Sequence, residues 1–181
     1  PYEIGMGGDG RDGSLPAGSK HSSMRPGNTV MVDMNGNFTG YMTDMTRTYY
    51  LGALDTHATN AHQLSIDIHH TLIDFIKPGV EAKAAYELAM DMVEKAGESD
   101  FFMGHTQKAG FIGQGVGIEV NEWPVLAPRS RQVFEKGNVI ALEPKFVIPG
   151  AVSYTPLRAH ETRSNVVCRL QHEKKNGGGG G

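Results

Sequence analysis

The order of predicted elements in this 181-residue chain indicates an α+β fold. Three observations predict it. A strand, a glycine-rich reversal and a second extended segment occupy residues 29–48. Two stretches with apolar residues at helical spacing follow, over 55–76 and about 80–96. From residue 101 the chain returns to short β-rich runs separated by glycine turns.

The first two extended segments carry two carboxylates, Asp33 and Asp44, eleven positions apart. We expect a hairpin between them, with its reversal formed by Asn35, Gly36, Asn37 and Gly40. Such a hairpin brings the two aspartates towards each other, and facing carboxylates repel unless a proton or a metal ion lies between them. For either aspartate alone, capping a turn is an equally good interpretation. A functional assignment therefore depends on partners elsewhere in the chain.

Local signals bound the two predicted helices. Asp55 or Thr56 can cap the start of the first helix, which covers 55–76. The second helix covers about 80–96, and Gly97 is placed to terminate it. Both helices carry apolar residues at helical spacing, which form a stripe along each helix.

The second half of the chain is predicted to contain two further strands, over 118–123 and 139–143. The glycines of 113–117 do not precede a helix, so they favour close passage of the backbone past a ligand or another strand over a nucleotide loop. Residues 121–124 are predicted to form a loop, which overlaps the end of the first of these strands.

A short internal echo links the two halves. Residues 25–33 read RPGNTVMVD and residues 135–143 read EKGNVIALE. Asp33 and Glu143 thus end equivalent β-rich runs, and in a pseudo-symmetric sheet they would converge on one site. A chance match over nine positions is the alternative interpretation.

Residues 151–181 differ from the rest of the chain. Residues 152–162 match a translated sequencing adapter at all but one position, 166–175 follow the same adapter with a few changes, and five glycines end the chain. We expect 151–181 to be a non-native, disordered tail and 1–150 to be a partial domain that is incomplete at both ends. A genuine basic tail with a flexible glycine end is the alternative.

Composition excludes several classes of function. The chain has a net charge of −3, and residues 1–150 hold 12 Lys and Arg against 18 Asp and Glu, so nucleic acid is not an expected partner. No apolar run is long enough for a membrane span. The single cysteine lies within the tail, which is consistent with a reducing cytoplasm.

Three ordered motifs resemble the pita-bread metallopeptidases, the superfamily of aminopeptidase P, prolidase, methionine aminopeptidase and creatinase. The motifs are VMVDMNGNFTGYMTDMTRTYYLG, FIGQGVGIEVNEWPVLA and VIALEPKFVIPG. They are most similar to the Xaa-Pro peptidase branch. The resemblance implies a pita-bread fold, a curved antiparallel sheet with flanking helices. It also implies hydrolysis of short peptides beside proline, and a homodimer for the full-length parent.

The resemblance further implies two divalent metal ions (Mn²⁺, Co²⁺, Fe²⁺ or Zn²⁺) held by two Asp, one His and two Glu. Asp33 matches the terminal metal ligand, Asp44 the bridging ligand and Glu143 the first glutamate. Glu143 or the partner missing here matches the general base. In the family, such a metal pair activates a bridging water, and the hydroxide attacks the scissile carbonyl.

The sequence departs from the family pattern at several positions. Gln114 stands where the ligand His is expected, either as a natural substitution or as a one-base reading error. Asn121 stands where a substrate-contacting His is common, and the adjacent Glu122 is kept and is predicted to be catalytic. The second ligand Glu is missing, because its motif falls where the tail begins, and Glu161 is not assigned its role.

These departures leave the fragment as written predicted to be inactive, and they leave two other functions open. One is a metal-free pita-bread domain that binds peptides or proteins, which Gln114 favours. The other is a creatinase-like amidinohydrolase, which also needs no metal. The retained Asp33, Asp44 and Glu143 argue against both.

Overall fold

The computed structural model describes residues 2–6, 26, 29–53, 55–105, 108–148, 153–154 and 158–161. Within them lie two helices, α1 (Thr56–Phe75) and α2 (Ala82–Ala96). The strands are β1 (Tyr2–Met6), β2 (Thr29–Phe38), β3 (Tyr41–Tyr50), β4 (Gly113–Gly115), β5 (Glu122–Val125), β6 (Val139–Leu142), β7 (Phe146–Val147), β8 (Ser153–Tyr154) and β9 (Arg158–Glu161). The α+β prediction is confirmed.

Seven strands form one sheet in the order β1-β2-β3-β9-β6-β4-β5, and β7 pairs with β8 separately. Every described pair is antiparallel. Because β3 and β6 both flank β9, the sheet brings the hairpin of the first half towards the short strands of the second half. Residues distant in sequence therefore meet across the middle of the sheet.

The predicted hairpin forms, but its turn lies later than expected. Strand β2 continues through Phe38, and the chain reverses at Thr39 and Gly40, which both have positive φ (52° and 92°). Asn37 supports this turn, since its side-chain oxygen accepts a hydrogen bond from the Gly40 backbone N–H at 3.2 Å. The expectation that Asn35, Gly36 and Asn37 form the reversal was therefore wrong: all three pair with β3.

Both predicted helices are confirmed, with small shifts at their ends. Asp55 caps α1, because its carboxylate accepts a hydrogen bond from the Ala58 backbone N–H at 2.7 Å. Gly97 ends α2 in the left-handed conformation, with φ 73°. The second helix begins two residues later than predicted, because the Val80 carbonyl accepts a hydrogen bond from the Phe134 backbone N–H instead of entering the helix.

One apolar core joins the helices to the sheet. Its fully buried members come from α1, α2, β6, β7 and the loops beside them, and include Ile68, Leu72, Val93, Phe134, Ile140, Leu142 and Phe146. Ile140 and Leu142 alternate with Ala141 along β6, so β6 turns one face to this core and leaves its other face available for a site. In the described part of the chain, neither helix has the length and apolar character that crossing a membrane would require.

The region after Gly115 differs from the prediction. Residues 118–121 form bends, and the strand is Glu122–Val125, so the expected strand over 118–123 and loop over 121–124 were placed wrongly. The Gly117 N–H donates to the Glu119 carbonyl at 3.0 Å, and the Glu119 N–H donates to the Glu122 carboxylate at 2.7 Å. These bonds fold the segment into a tight loop although Ile118 and Val120 favour an extended backbone.

The short strands β8 and β9 lie within residues 151–181. Strand β8 pairs with β7, and β9 lies between β3 and β6. At these six positions the backbone forms strands where the sequence leads us to expect disorder. The assignment of 151–181 as a non-native tail stays a prediction.

Candidate functional site

The hairpin places four polar side chains on one face of the sheet. Asp33 pairs with Thr46 and Asn35 pairs with Asp44. Residues opposite each other, or two apart on one strand, share a face, so the two aspartates are diagonal neighbours across the hairpin. The Thr46 hydroxyl donates to Asp33 Oδ1 at 2.7 Å and fixes that carboxylate. The hairpin thus brings the Asp33 and Asp44 side chains towards each other, as expected, with both residues on strands.

Gln114 joins the hairpin to the second half of the chain. It lies on β4 opposite Ala141 of β6, and Glu143 follows two residues after Ala141. Gln114 Nε2 donates to Asp44 Oδ2 at 3.1 Å and to Glu143 Oε1 at 2.6 Å. The one amide group therefore holds together two carboxylates that come from β3 and from the end of β6.

The charges in this cluster disfavour full ionisation. Burial, followed by the neighbouring charges of Glu143 and Asp33, raises the pKa of Asp44 from 3.8 to about 7. Burial also raises the pKa of Glu143, to which the Asp33 charge contributes. Hydrogen bonds from Gln114 oppose both shifts because they favour the charged carboxylates. The Lys145 charge also opposes the shift of the Glu143 pKa, so among the described residues the cluster combines mutually repelling acids with a neighbouring cation.

The glycines around Gln114 are required by close packing of the backbone. A Cβ atom on Gly113 would lie 2.6 Å from the Ala141 carbonyl oxygen, and one on Gly115 would lie 2.5 Å from the Trp123 carbonyl oxygen. The expected role of these glycines in close strand passage is confirmed. They let β4 fit between β5 and β6, which positions Gln114 against the two acids.

The donor set suits a hard divalent cation, although the side chains do not form a ready metal centre as they stand. Carboxylate and amide oxygens are ligands that such cations accept. Gln114 Oε1 and Asn35 Oδ1 are buried acceptors without a hydrogen-bond partner among the described residues. No three His, Cys, Asp or Glu side chains in the described part of the chain are arranged to hold a metal ion. The Gln114 amide nitrogen instead fills the position between Asp44 and Glu143.

The register of β9 bears on the missing fifth ligand. Ala159 pairs with Ala141, the residue that also pairs with Gln114, whereas Glu161 pairs with Val139. The backbone position beside the acidic cluster is therefore an alanine. Whether Glu161 has a ligand role stays outside the assignments made from the sequence.

Asn121 and Glu122 lie outside the acidic network. They line a neighbouring cavity of about 630 Å³, and the Glu122 carboxylate is bonded to the Glu119 backbone. No described hydrogen bond connects either residue to Asp44, Gln114 or Glu143. Their substrate-binding and catalytic roles stay predictions.

Two residues of the cluster were not selected from the sequence. Thr46 donates a hydrogen bond to Asp33, but it lies in a run of polar residues after Asp44 in which nothing distinguishes it. Asn35 is the strand partner of Asp44, but the sequence places it in a predicted turn. Alternation along β2, which puts residues 33 and 35 on one face, is the signal that could have identified Asn35.

The geometry can be compared with known proteins. Residues 8–173 match the sequence model of Metallopeptidase family M24. The uncharacterized peptidase YqhT of Bacillus subtilis is 34% identical over 137 residues, which are 75% of this chain and 37% of that protein. The Xaa-Pro dipeptidase of Pyrococcus furiosus is 28% identical over 141 residues, 77% of this chain and 39% of that protein. The chain thus spans well under half of these relatives.

Solved structures share the fold. The prolidase from Pyrococcus furiosus superimposes with a TM-score of 0.79 at 24% identity, covering 91% of this chain and 46% of that one. The N-terminal domain of the FACT complex subunit SPT16 from chickpea has a TM-score of 0.72 at 19% identity, covering 90% and 40%. These likenesses show the fold alone, and the expected pita-bread fold is confirmed.

Proposed function

Because the chain belongs to metallopeptidase family M24, we propose that its parent protein is a cytoplasmic, dinuclear-metal-dependent peptidase that cleaves short peptides beside proline. The observation that carries the proposal is the shared bonding of Asp44 and Glu143 by Gln114, with Asp33 close enough for its charge to raise the pKa of both. A relative named Xaa-Pro dipeptidase supports the choice of peptide bond.

Four side chains would hold the metal ions: Asp33, Asp44, Glu143 and, in place of histidine, Gln114. Bound divalent ions supply an acidified water and polarise the scissile carbonyl. Thr46 keeps Asp33 oriented through its hydroxyl hydrogen bond. We assign the proton-accepting role to Glu143, because burial raises the pKa of its carboxyl above the ordinary value and so makes it a better proton acceptor.

We further propose that the chain as printed is inactive. The Gln114 amide donates hydrogen bonds where a metal ligand would present a lone pair, and a second ligand glutamate is absent from the position beside Ala141. Loss of a single group that only supports a ligand already costs about 10–100-fold in metal affinity. The absence of one ligand glutamate, together with a weakly binding amide in place of the histidine, should prevent occupation at micromolar metal.

Metal titration of the Gln114→His chain tests the metal centre. We expect calorimetry to detect binding of Mn²⁺ or Co²⁺ to Gln114→His. Binding to the unsubstituted chain should be weaker or absent, and the double variant Gln114→His with Asp44→Asn should not bind either ion. Failure of Gln114→His to bind either ion at millimolar concentration would contradict the proposed site. In the parent protein with His at 114, absence of Xaa-Pro dipeptide hydrolysis would contradict the proposed reaction.

The rival function is a metal-free binding module, and one observation favours it. The Gln114 amide links the two acids by itself, so the fold does not need a cation to hold Asp44 and Glu143 together. The shared fold of the FACT subunit domain is compatible with such a role but carries no residue-level support. If Gln114→His binds no metal while the fold persists, the binding module becomes the better assignment.

A further inference from the structure

A cavity beside the acidic site combines carboxylates with exposed aromatic surface. It has a volume of about 630 Å³ and is lined by Phe111, Glu119, Asn121, Glu122, Trp123 and Val125. Val125 is the strand partner of Gln114, so one wall of the cavity directly adjoins the buried cluster. A molecule that occupies the cavity therefore contacts β5, the strand that pairs with the strand of Gln114.

The two glutamates in the lining differ in their hydrogen bonding. Glu122 is anchored, because its carboxylate accepts the Glu119 backbone N–H at 2.7 Å. The exposed Glu119 carboxylate has no hydrogen bond or ion pair to any described residue. Its charge is thus available to a ligand, and the fixed Glu122 charge adds to the negative potential of the same cavity.

Trp123 adds an apolar surface that suits a cation with a hydrocarbon stem. Its side chain is 70% exposed although β5 holds its backbone against β4. An indole face attracts Lys or Arg side chains through its quadrupole and also covers their methylene groups. Phe111 and Val125 extend the apolar part of the lining.

We propose that this cavity selects short peptides whose amino-terminal residue is basic, with Glu119 pairing with the cation and Trp123 covering its stem. The orientation of the peptide towards the acidic cluster rests on the proposed function. The binding preference itself requires neither metal nor hydrolysis, so the two ideas can fail separately.

The fluorescence of Trp123 offers a direct measurement, because the chain contains one tryptophan. The full chain would be titrated in EDTA with the dipeptides Arg-Pro, Leu-Pro and Glu-Pro. We expect Arg-Pro to alter the indole emission and to bind up to about fivefold more tightly than Leu-Pro, with Glu-Pro weakest, as expected for a partly exposed ion pair. Raising the salt concentration to about 0.5 M should shrink these differences.

Two exposed substitutions and one control complete the test. Glu119→Gln should weaken Arg-Pro binding about fivefold and leave Leu-Pro unchanged, whereas Asn121→Asp should strengthen Arg-Pro binding. Glu94→Gln on the exposed face of α2 should change neither affinity. Equal affinities for Arg-Pro and Glu-Pro, or an unchanged Arg-Pro affinity in Glu119→Gln, would overturn the proposal.

Hydrolysis then separates this inference from the proposed function. If the parent protein with His at 114 cleaves Glu-Pro as fast as Arg-Pro, the selectivity of the cavity is refuted and the peptidase assignment stands. If it cleaves neither, but Trp123 still reports preferential Arg-Pro binding, the cavity inference stands and the proposed reaction fails.

Discussion

Replacing Gln114 with leucine should sharply destabilise the metal-free chain. The substitution removes the hydrogen bonds of 3.1 Å to Asp44 and 2.6 Å to Glu143 while leaving both acids in place. Hydrogen bonds to charged groups contribute about 1.5–3 kcal/mol each, so the two together amount to about 3–6 kcal/mol at a pH where both acids are ionised. Leucine is close to glutamine in volume, and cavity formation therefore adds little.

The size of this effect should depend on pH in a defined direction. Gln114 donates to carboxylates, and its hydrogen bonds lower the pKa of both acids, so it stabilises their charged forms. At pH 5 Asp44, with a pKa of about 7, is protonated in the folded chain, and its bond to the amide contributes only about 1 kcal/mol. The loss of unfolding free energy should therefore be larger at pH 8 than at pH 5.

Urea denaturation in EDTA at the two pH values measures this prediction. Gln63→Leu is the matched control, because Gln63 also donates to an aspartate, Asp67, at 2.8 Å but on the exposed face of α1. We expect the control to change the unfolding free energy by less than about 0.5 kcal/mol. A loss below about 1 kcal/mol in Gln114→Leu at pH 8, or one equal at both pH values, would refute this account of the cluster.

Two further predictions concern the same region. Because burial and neighbouring acids raise the pKa of Asp44 from 3.8 to about 7, its protonation stabilises the folded chain fully below about pH 4. That stability should be lost as the pH rises to 7, by up to about 4 kcal/mol relative to Asp44→Asn, since each unit of pKa shift corresponds to about 1.36 kcal/mol. Urea denaturation in EDTA gives the unfolding free energy of both chains at each pH. If the two plots of unfolding free energy against pH are parallel, the prediction is wrong. Gly113→Ala places a methyl group 2.6 Å from a backbone carbonyl and should cost about 1–3 kcal/mol in urea denaturation. Gly110→Ala, whose Cβ would meet nothing within 4 Å, is the control, and equal costs would refute the close-packing role of Gly113.

Local sequence signals predicted the helices and the hairpin because the forces that form them act over a few residues. Asp55 caps α1 through Ala58, three positions away, and Gly97 ends α2 by its own backbone conformation. The apolar stripes then orient both helices towards the core. Motif resemblance, not periodicity, predicted that Asp44 and Glu143 share a site.

The features that the sequence did not predict depend on contacts formed only in the folded chain. Ile118 and Val120 favour a strand, but the Glu122 side chain captures the Glu119 backbone and bends the segment. Strand β4 has three residues, too few for any periodicity to detect. The orientation of the Gln114 amide follows from partners 70 and 29 positions away, which no local pattern contains.

Adding metal should reverse the order of thermal stability between the unsubstituted chain and Gln114→His. A neutral imidazole has one N–H donor, so it cannot donate to both Asp44 and Glu143 as the glutamine amide does. The neighbouring carboxylates favour the imidazolium, which has two donors, so this comparison applies at alkaline pH. In EDTA at about pH 9, where the imidazole is neutral, we therefore expect Gln114→His to melt at a lower temperature than the unsubstituted chain.

With Mn²⁺ present, Gln114→His should become the more stable chain. The imidazole offers a lone pair to the cation, and the cation neutralises the two acids to which Gln114 donates hydrogen bonds in the unsubstituted chain. Binding to the folded state alone stabilises it by about 2.7 kcal/mol at a ligand concentration one hundred times the Kd. Thermal melts of both chains with EDTA and with millimolar Mn²⁺ measure the crossover. If the melting temperature of Gln114→His lies below that of the unsubstituted chain by the same amount with EDTA and with Mn²⁺, the Gln114 amide does not occupy a metal position.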